Sequence, residues 1–431
     1  MNNRRHFLKS TLTMSASLTA LMTLGGPRRA RAQTAPARKL LLITCNGGWD
    51  VSFHLDPKTT GLATVDVPAG NIVTQGNMSW MSATANNGVV DAYMAAHSDV
   101  SSIVRGISVR SISHDVCIRR MLTGSPSEDA PDMGVIAAHT HAPNLAAPYL
   151  TLGAVSFPGT LEGASVRMGQ TNQLALALRY DTLAPDIGLQ FPNPTERARI
   201  EQFLVENGQA LQSSRGQFGK NAQKTSDYLS SLDRVSGLVA NQQYLGDPFS
   251  LSLGLDEQMQ NALTMLEGGM TWAVNVSTGF VWDHHDPAQA PTGTYDGAQG
   301  VRNQTLWPAL SALVDELKAR PGTAPGSKLI DETVVVVLSE MTRTPKKNAQ
   351  GGKDHWPYTS ALIVGGGVNA GNAFGATDDA LVSRPISLAT GLADTGGIIF
   401  ETEHFVSTVL ALCGVDASPY LDAPVLEALI A

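Results

Sequence analysis

The feature that most constrains the fold is a short apolar run in the C-terminal half, Thr333 to Leu338, which contains four consecutive valines. An unbroken run of β-branched residues predicts a strand that is buried on both faces, as found inside a parallel sheet. Ser339 and Glu340 follow directly, and ligands of such sheets bind beyond the carboxyl ends of the strands. The sequence therefore predicts an α/β fold with Glu340 at the edge of the sheet that carries a site.

The loop after this strand adds more polar groups. It is rich in basic residues and glycine, and it ends in Lys353, Asp354 and His355. If the loop folds back on Glu340, carboxylates lie beside an imidazole, an arrangement typical of metal binding or acid/base chemistry. The same residues would equally suit a solvated strand end with a surface histidine, so other segments must decide between the two interpretations.

Two further predicted strands also deliver acidic or imidazole groups. Leu40 to Thr44 is followed by Cys-Asn-Gly-Gly-Trp and then Asp50. The two glycines allow a sharp turn that aims Asp50 at the edge where Glu340 lies. Thr271 to Phe280 leads in the same way to Asp283 and His285.

Together these strand ends and loops supply oxygen and nitrogen donors and no thiolate: Asp50, Asp283, His285, Glu340, Asp354 and His355. Such a set suits Zn, Mn, Mg or Ca, and the sequence predicts at least one divalent ion. Three of the six tryptophans adjoin candidate ligands, which indicates a walled cleft: Trp49, Trp282 and Trp356. No dinucleotide fingerprint, phosphate-loop lysine motif or Gly-x-Ser-x-Gly elbow stands at a strand–helix junction, which argues against hydride and nucleotide chemistry.

Residues 111–124 predict a helix that begins near Ser113 or Asp115 and stops at Gly124. The N–H groups at its N-terminus favour phosphate, sulfate or carboxylate. Further along the chain, the segment from Thr195 to Tyr244 has polar helices with a narrow apolar stripe. We expect a helical insertion over about residues 195–265. Alternating strand and helix patterns elsewhere predict one α/β domain over 33–431, with a doubly wound, mostly parallel sheet.

The N-terminus has the pattern of a twin-arginine export signal. Arg4 and Arg5 precede Phe-Leu-Lys, a mildly apolar stretch follows, and Ala30-x-Ala32 is a small-residue cleavage site. We expect residues 1–32 to be a signal peptide, the twin-arginine export machinery to be a partner, and the mature chain to be periplasmic or extracellular. A basic amphipathic helix is the alternative.

Composition excludes some partners. Without the six basic residues of the leader, the chain has 24 basic and 38 acidic residues, a net charge of -14, which argues against nucleic acid. No later run of about 18 apolar residues occurs, so no membrane span is expected in the mature chain. Three cysteines are too few for a disulfide framework. Cys45 and Cys117 lie beside candidate site residues, where a bridge is possible but two buried thiols are favoured.

Several motifs resemble the domain-of-unknown-function 1501 family: Asn-Gly-Gly-Trp-Asp, Ser-His before Met-Leu-Thr-Gly, Trp-Asp-His-His, Ser-Glu-Met-Thr-Arg-Thr-Pro and Gly-Gly-Lys-Asp-His. That family comprises exported bacterial proteins and is similar in fold to the alkaline phosphatase and sulfatase superfamily. The resemblance implies an alkaline-phosphatase-like sheet and one or two divalent metals. Asp50 matches the early metal aspartate, and Asp283 and His285 match the pair after the insertion. Glu340 matches the acid that ends the late strand, and His355 the last ligand.

The chain departs from the superfamily pattern at two positions. His114 stands where sulfatases have their nucleophile, and Met341 follows Glu340 where an Asp-His pair is usual. The resemblance then implies substitute roles: Ser113 or Ser111 as nucleophile, His114 as metal ligand or acid, Asp354 as replacement ligand and Arg343 as anion holder.

The function expected from the sequence is that of an exported, metal-binding, sulfatase-like or alkaline-phosphatase-like protein. It would hydrolyse a phosphate or sulfate ester, on a small molecule or a polymer, by metal-activated water. The alternative is a secreted, non-catalytic binding protein of the same fold that has lost the nucleophile.

Overall fold

A computed structural model describes residues 36–168, 192–240, 254–289 and 292–431. The predicted signal peptide, residues 1–32, lies outside the described residues. The strands described are, in chain order, β1 (Lys39–Thr44), β2 (Gly70–Gln75), β3 (Met78–Ala83), β4 (Ser101–Ser108), β5 (Tyr149–Leu152), β6 (Ser165–Met168), β7 (Ala273–Ser277), β8 (Thr333–Leu338), β9 (Thr342–Arg343), β10 (His355–Trp356), β11 (Tyr358–Gly365) and β12 (Ala373–Phe374).

The α-helices of the described segments are α1 (Val89–His97), α2 (His114–Thr123), α3 (Met133–His141), α4 (Pro194–Ser214), α5 (Gly219–Ala240), α6 (Leu255–Glu267), α7 (Tyr295–Ala319) and α8 (Thr402–Leu412). The helix expected near Ser113 is α2, which has Ser113 as its N-cap and Gly124, with φ 71°, as its C-cap. No helix in the described ranges is both long and apolar enough to cross a membrane.

Within the described chain, one sheet of eight strands has the order β12-β4-β11-β8-β1-β7-β5-β6. The strands β8, β1, β7, β5 and β6 run parallel to one another. β11 is antiparallel to both of its neighbours, β4 and β8. The prediction of an α/β fold with a mostly parallel sheet is therefore confirmed, with an antiparallel strand that the sequence pattern did not reveal.

Both faces of this sheet are covered, because the apolar residues of its central strands alternate between two cores. Leu41 and Ile43 of β1 pack into a core with α1, α6 and α7. Leu40 and Leu42 pack on the other face with α2, α3 and α8. The four valines of β8 divide in the same way, which explains their unbroken apolar run and confirms the doubly wound arrangement.

The three central strands end together. Thr44 of β1 is paired with Leu338 of β8 on one side and with Ser277 of β7 on the other. The segments that follow these strands therefore leave the sheet at one edge, as the sequence predicts for Asp283 and Glu340.

The polar helices α4 and α5 form a hairpin within the region predicted as an insertion. α4 begins with an Asn193–Glu196 capping box, and its side chains include the exposed Phe203, 64% accessible. α6 differs, because it packs Met259, Leu263 and Leu266 into the core beside the sheet. The hairpin therefore accounts for only the first part of the 195–265 range.

Candidate metal centre

A group of potential metal ligands lies beyond the carboxyl edge of the sheet. One ligand atom from each of His114, Asp283 and His355 lies within 4.8 Å of the others. His285 adjoins the group, with its Nε2 atom 2.9 Å from Asp283 Oδ1 and 3.0 Å from His355 Nε2. These four residues, called the cluster below, come from the first turn of α2, the loop after β7 and strand β10.

The three cluster histidines are held in the same way, each through its Nδ1 atom. His114 Nδ1 lies 2.7 Å from Glu340 Oε1, and His285 Nδ1 lies 2.7 Å from Asp354 Oδ1. His355 Nδ1 lies 2.7 Å from the backbone carbonyl of Ile112. An Nδ1–H that donates to a fixed acceptor leaves the Nε2 lone pair free for a metal, as is usual for ligating histidines.

The donor set and its contacts fit a divalent ion. His114 Nε2 is buried and has no hydrogen-bond partner within the described chain, although it lies 3.4 Å from Asp283 Oδ2. Of the four ions that the sequence predicts, Zn²⁺ suits three imidazole nitrogens and one carboxylate best, whereas Ca²⁺, Mg²⁺ and Mn²⁺ favour oxygen ligands. The cluster side chains are between 20% and 43% exposed, so that an ion has access from solvent.

Arg343 supports the cluster from below and is completely buried. Its Nη2 atom donates to Asp283 Oδ1 over 2.7 Å and also to the carbonyl of Gly47. Nε donates to the carbonyl of Gly48, and Nη1 to that of Lys353. The sequence-based role of Arg343 was to hold an anion, but in the structure the guanidinium group fixes the loops that carry Asp283 and His355.

The charges around the cluster shift its protonation. The carboxylates of Asp283 and Glu340 raise the pKa of His114 to about 9. Burial alone would raise the pKa of Asp283, but contacts with His114 and Arg343 bring it below its usual range. Burial lowers the pKa of His355. Without metal, the proton at neutral pH is therefore held on His114, and a metal that binds there must displace it.

Glycine allows the turn after β1 to approach the cluster. Gly47 has φ 99°, and a Cβ atom there would lie 2.7 Å from the backbone nitrogen of Trp282 and 2.8 Å from that of Asp283. The amide of Gly47 also donates to Glu340 Oε1 over 2.7 Å. A residue with a side chain would push the segment that carries Asp283 away from β1 and β8.

Two residues predicted as ligands support the cluster histidines instead. Glu340 uses its two carboxylate oxygens for His114, Gly47 and Ser339. Asp354 binds His285 and accepts a hydrogen bond from Asn348 Nδ2. Both carboxylates therefore orient ligands through hydrogen bonds.

Asp50 does not join the cluster, although the sequence predicts it as a ligand. Its side chain is completely buried, and Oδ2 accepts hydrogen bonds from Lys353 Nζ at 2.7 Å and from the hydroxyl of Tyr295 at 3.0 Å. Oδ1 accepts from the amide and the hydroxyl of Ser52. All its acceptor positions are thus used by neighbours.

The predicted nucleophile Ser113 is exposed at the N-cap of α2, and its side chain makes no capping hydrogen bond.

Cys45 and Cys117 are free, buried thiols, as the sequence favours. Trp49 and Trp282 are buried, and their rings contact each other edge to face. Sequence analysis gave no role to Lys353 and did not single out Tyr295 or the carbonyl of Ile112. Only the position of Lys353, directly before two candidate ligands, hinted at its importance.

Comparison with known proteins gives a family match. The family described as "Protein of unknown function (DUF1501)" matches residues 208–423. No curated protein matches the chain.

The chain is similar to several solved structures. One is a protein in the alkaline phosphatase superfamily from Vibrio parahaemolyticus, at 12% identity and TM-score 0.39, covering 90% of this chain and 69% of that one. Another is the C-terminal periplasmic domain of EptC from Escherichia coli, at 9% identity and TM-score 0.40, covering 90% and 86%. A third is a phosphonate monoester hydrolase from Silicibacter pomeroyi, at 10% identity and TM-score 0.36, covering 89% and 76%. The first belongs to the superfamily that the sequence motifs resemble.

Proposed function

This chain belongs to the DUF1501 family, and from the chemistry of its own cluster we propose that it is an exported metal-dependent hydrolase of phosphate or sulfate esters. The observation that carries the proposal is the convergence of three histidines, each with Nδ1 bound to an acceptor, on Asp283. His114, Asp283, His285 and His355 would hold the ion. Zn²⁺ is the ion that this donor set fits best.

A divalent ion at this position supplies Lewis acidity, which polarises an ester oxygen and makes water more acidic. The chain itself supplies orientation. Glu340 and Asp354 fix two imidazole rings, and Arg343 fixes Asp283. The first turn of α2 brings its backbone N–H groups to the same place as His114, and such groups favour a bound anion. Hydrolysis by water then needs no nucleophilic side chain at position 114.

A non-catalytic binding protein is the second candidate, and two observations favour it. An imidazole occupies the position of the superfamily nucleophile, and it is already engaged with Glu340. The three nitrogens of Arg343 all donate within the protein, so that this buried cation offers little to a substrate anion. In this case the cluster and the α2 N-terminus would retain an anionic ligand without turnover.

The test begins with the mature protein, residues 33–431, loaded with Zn²⁺ or Mn²⁺ after chelator treatment. Aryl phosphate, aryl sulfate and bis-aryl phosphodiester substrates are assayed with the parent and with His114→Ala. Metal-dependent turnover that is lost in His114→Ala supports the hydrolase. Tight metal binding with no turnover on any ester supports the binding protein, and a protein that binds no metal contradicts the metal-dependent hydrolase.

The same assay distinguishes direct attack by water from attack by a serine side chain. Substrate is mixed with enzyme, the reaction is stopped with acid, and the protein mass is measured. Attack by water leaves the mass unchanged. A phosphoryl or sulfuryl adduct on Ser111 or Ser113 would overturn the water route, and Ser113→Ala should retain activity if the proposal is right.

Export is proposed on the leader alone. Two paired guanidinium groups are what residues 4 and 5 offer to a twin-arginine receptor. Arg4→Lys combined with Arg5→Lys should leave full-length precursor in the cytoplasm. Equal amounts of processed protein outside the cytoplasm for parent and variant would contradict the proposal.

A further inference from the structure

Beneath the cluster lies a completely buried ion pair that none of the chemistry above uses. Lys353 Nζ is 2.7 Å from Asp50 Oδ2, and both side chains have no solvent exposure. The Tyr295 hydroxyl donates to the same oxygen, and the Tyr295 ring lies 5.7 Å from the Lys353 ammonium group. Transferring two charges from water into such a site is costly, and a buried pair is often no more stabilising than apolar residues of similar volume.

The backbone of Lys353 connects this pair to both ligand-bearing segments. Its amide donates to the carbonyl of His284 over 3.3 Å, next to the ligand His285. Its carbonyl accepts from Arg343 Nη1, which belongs to the guanidinium group that holds Asp283. His355 follows two residues later in the chain. The backbone of Lys353 is therefore linked to His355 through the chain, to the neighbour of His285 through one hydrogen bond, and to Asp283 through the two hydrogen bonds of Arg343.

Asp50 makes the corresponding connection from the other side. Its amide donates to Gln299 Oε1 over 3.3 Å, and Gln299 Nε2 donates to the carbonyl of Trp282, next to the ligand Asp283. The pair thus ties the turn after β1 to the loop after β7 and to the segment that leads to β10.

From these contacts we propose that Asp50 and Lys353 are positioning residues for the metal: the buried pair fixes Asp283, His285 and His355 at the separation that an ion requires. The inference rests on the proposed metal site. It also gives Asp50, which the sequence predicted to be a ligand, a role that requires its negative charge but no contact with the ion.

The test compares two double variants that each remove one buried lysine–aspartate pair. Asp50→Asn with Lys353→Met removes the pair beneath the cluster. Asp56→Asn with Lys58→Met removes a control pair that is nearly as buried, 3.0 Å apart, and that contacts Thr377 and Arg105 instead of the cluster segments. Each protein is purified without metal, and its Zn²⁺ affinity is measured by competition with a chromogenic chelator. Thermal unfolding of the metal-free proteins is measured in parallel.

We expect the Asp50/Lys353 variant to lose at least tenfold in Zn²⁺ affinity, the lower end of what disturbing the partners of metal ligands costs. The control variant should bind Zn²⁺ as tightly as the parent does. Similar unfolding temperatures of the two variants would then show that lost stability alone does not explain the lost affinity. An Asp50/Lys353 variant that binds Zn²⁺ as tightly as the parent overturns the inference, and so does an equal loss in both variants. If the parent itself binds no Zn²⁺, it is the proposed function that fails.

A single conservative substitution tests the same inference if the double variant does not fold. Tyr295→Phe removes only the hydroxyl that holds Asp50 Oδ2 and keeps the buried ring. The pair should then be held less firmly, with a several-fold loss of Zn²⁺ affinity and faster amide exchange over residues 351–356 in the metal-free protein. Unchanged affinity together with unchanged exchange would overturn the inference.

Discussion

A buried histidine makes the stability of this protein depend on pH in a way that one substitution should remove. His54 has no solvent exposure, and neither of its ring nitrogens has a hydrogen-bond partner among the described residues. Its ring packs against Trp49 and Trp307, with centroids 4.6 and 5.9 Å away. Burial lowers the pKa of His54 to about 3. The folded protein therefore keeps this imidazole neutral at pH values where the unfolded chain protonates it.

The sign and size of this pH effect on stability follow from the linkage between protonation and folding. The folded pKa lies below the unfolded value of about 6.5, so that the contribution to stability is complete above pH 6.5 and is lost as the pH falls toward 3. Each pH unit below 6.5 removes about 1.4 kcal/mol. Between pH 7.5 and pH 4.5 the parent should lose about 2 to 3 kcal/mol through His54 alone.

The measurement is urea denaturation of parent and His54→Phe at both pH values. Phenylalanine keeps the ring contacts and has no nitrogen to leave unpaired, so its stability at pH 7.5 should match or exceed that of the parent. The free energy of unfolding should fall less between the two pH values in His54→Phe, by that same 2 to 3 kcal/mol. The exposed His139, changed to Gln, is the control. Equal losses in parent and His54→Phe would refute the argument.

Three further predictions concern the metal centre. Zn²⁺ at about 100 times its dissociation constant should raise the free energy of unfolding by about 2.7 kcal/mol, whereas a melting temperature insensitive to both Zn²⁺ and chelator would count against the site. Glu340→Gln should weaken Zn²⁺ binding by about 10- to 100-fold, because the carboxylate that orients His114 loses its charge; calorimetric titration that shows parental affinity would contradict this. Gly47→Ala should lower the free energy of unfolding by about 1 to 3 kcal/mol, because φ is 99° at this position. It should also reduce Zn²⁺ affinity, because the added Cβ would press on the backbone of Asp283. The control is Gly61→Ala, also at positive φ but with open space around it, which should lose stability and keep the parental Zn²⁺ affinity.

The sequence predicted which strands carry the candidate site, because buried strands have a recognisable apolar pattern. Apolar runs identified β1 and β8, and the strand predicted over Thr271 to Phe280 contains β7. The rule that parallel strands end at one edge then brought Asp283 and Glu340 together. The antiparallel course of β11 was not predicted, because an apolar run carries no information about strand direction. The β2–β3 hairpin was missed as well, since β2 is a largely polar strand with no buried residue.

The division of the predicted ligands into those that face the cluster and those that support it could not be read from residue types. Asp50 and Glu340 have the chemistry of ligands, but the structure gives them a lysine and a histidine as partners. Lysine is rarely buried, so that nothing in the sequence indicated an ammonium group beneath Asp50. The acceptor of His355 is a backbone carbonyl, which any residue at position 112 would provide. Such contacts depend on tertiary placement alone.

The pairing of β1 has a consequence for the order in which the protein can fold. Leu40 lies beside Ala273 on one side and Val334 on the other, so that the central strand has no neighbour until most of the chain has been synthesised. Contacts so distant in sequence slow folding, because long loops must close before the strands can pair. His355 comes later still. The candidate cluster therefore cannot form before His355 has been synthesised, and its assembly should be a late step of folding.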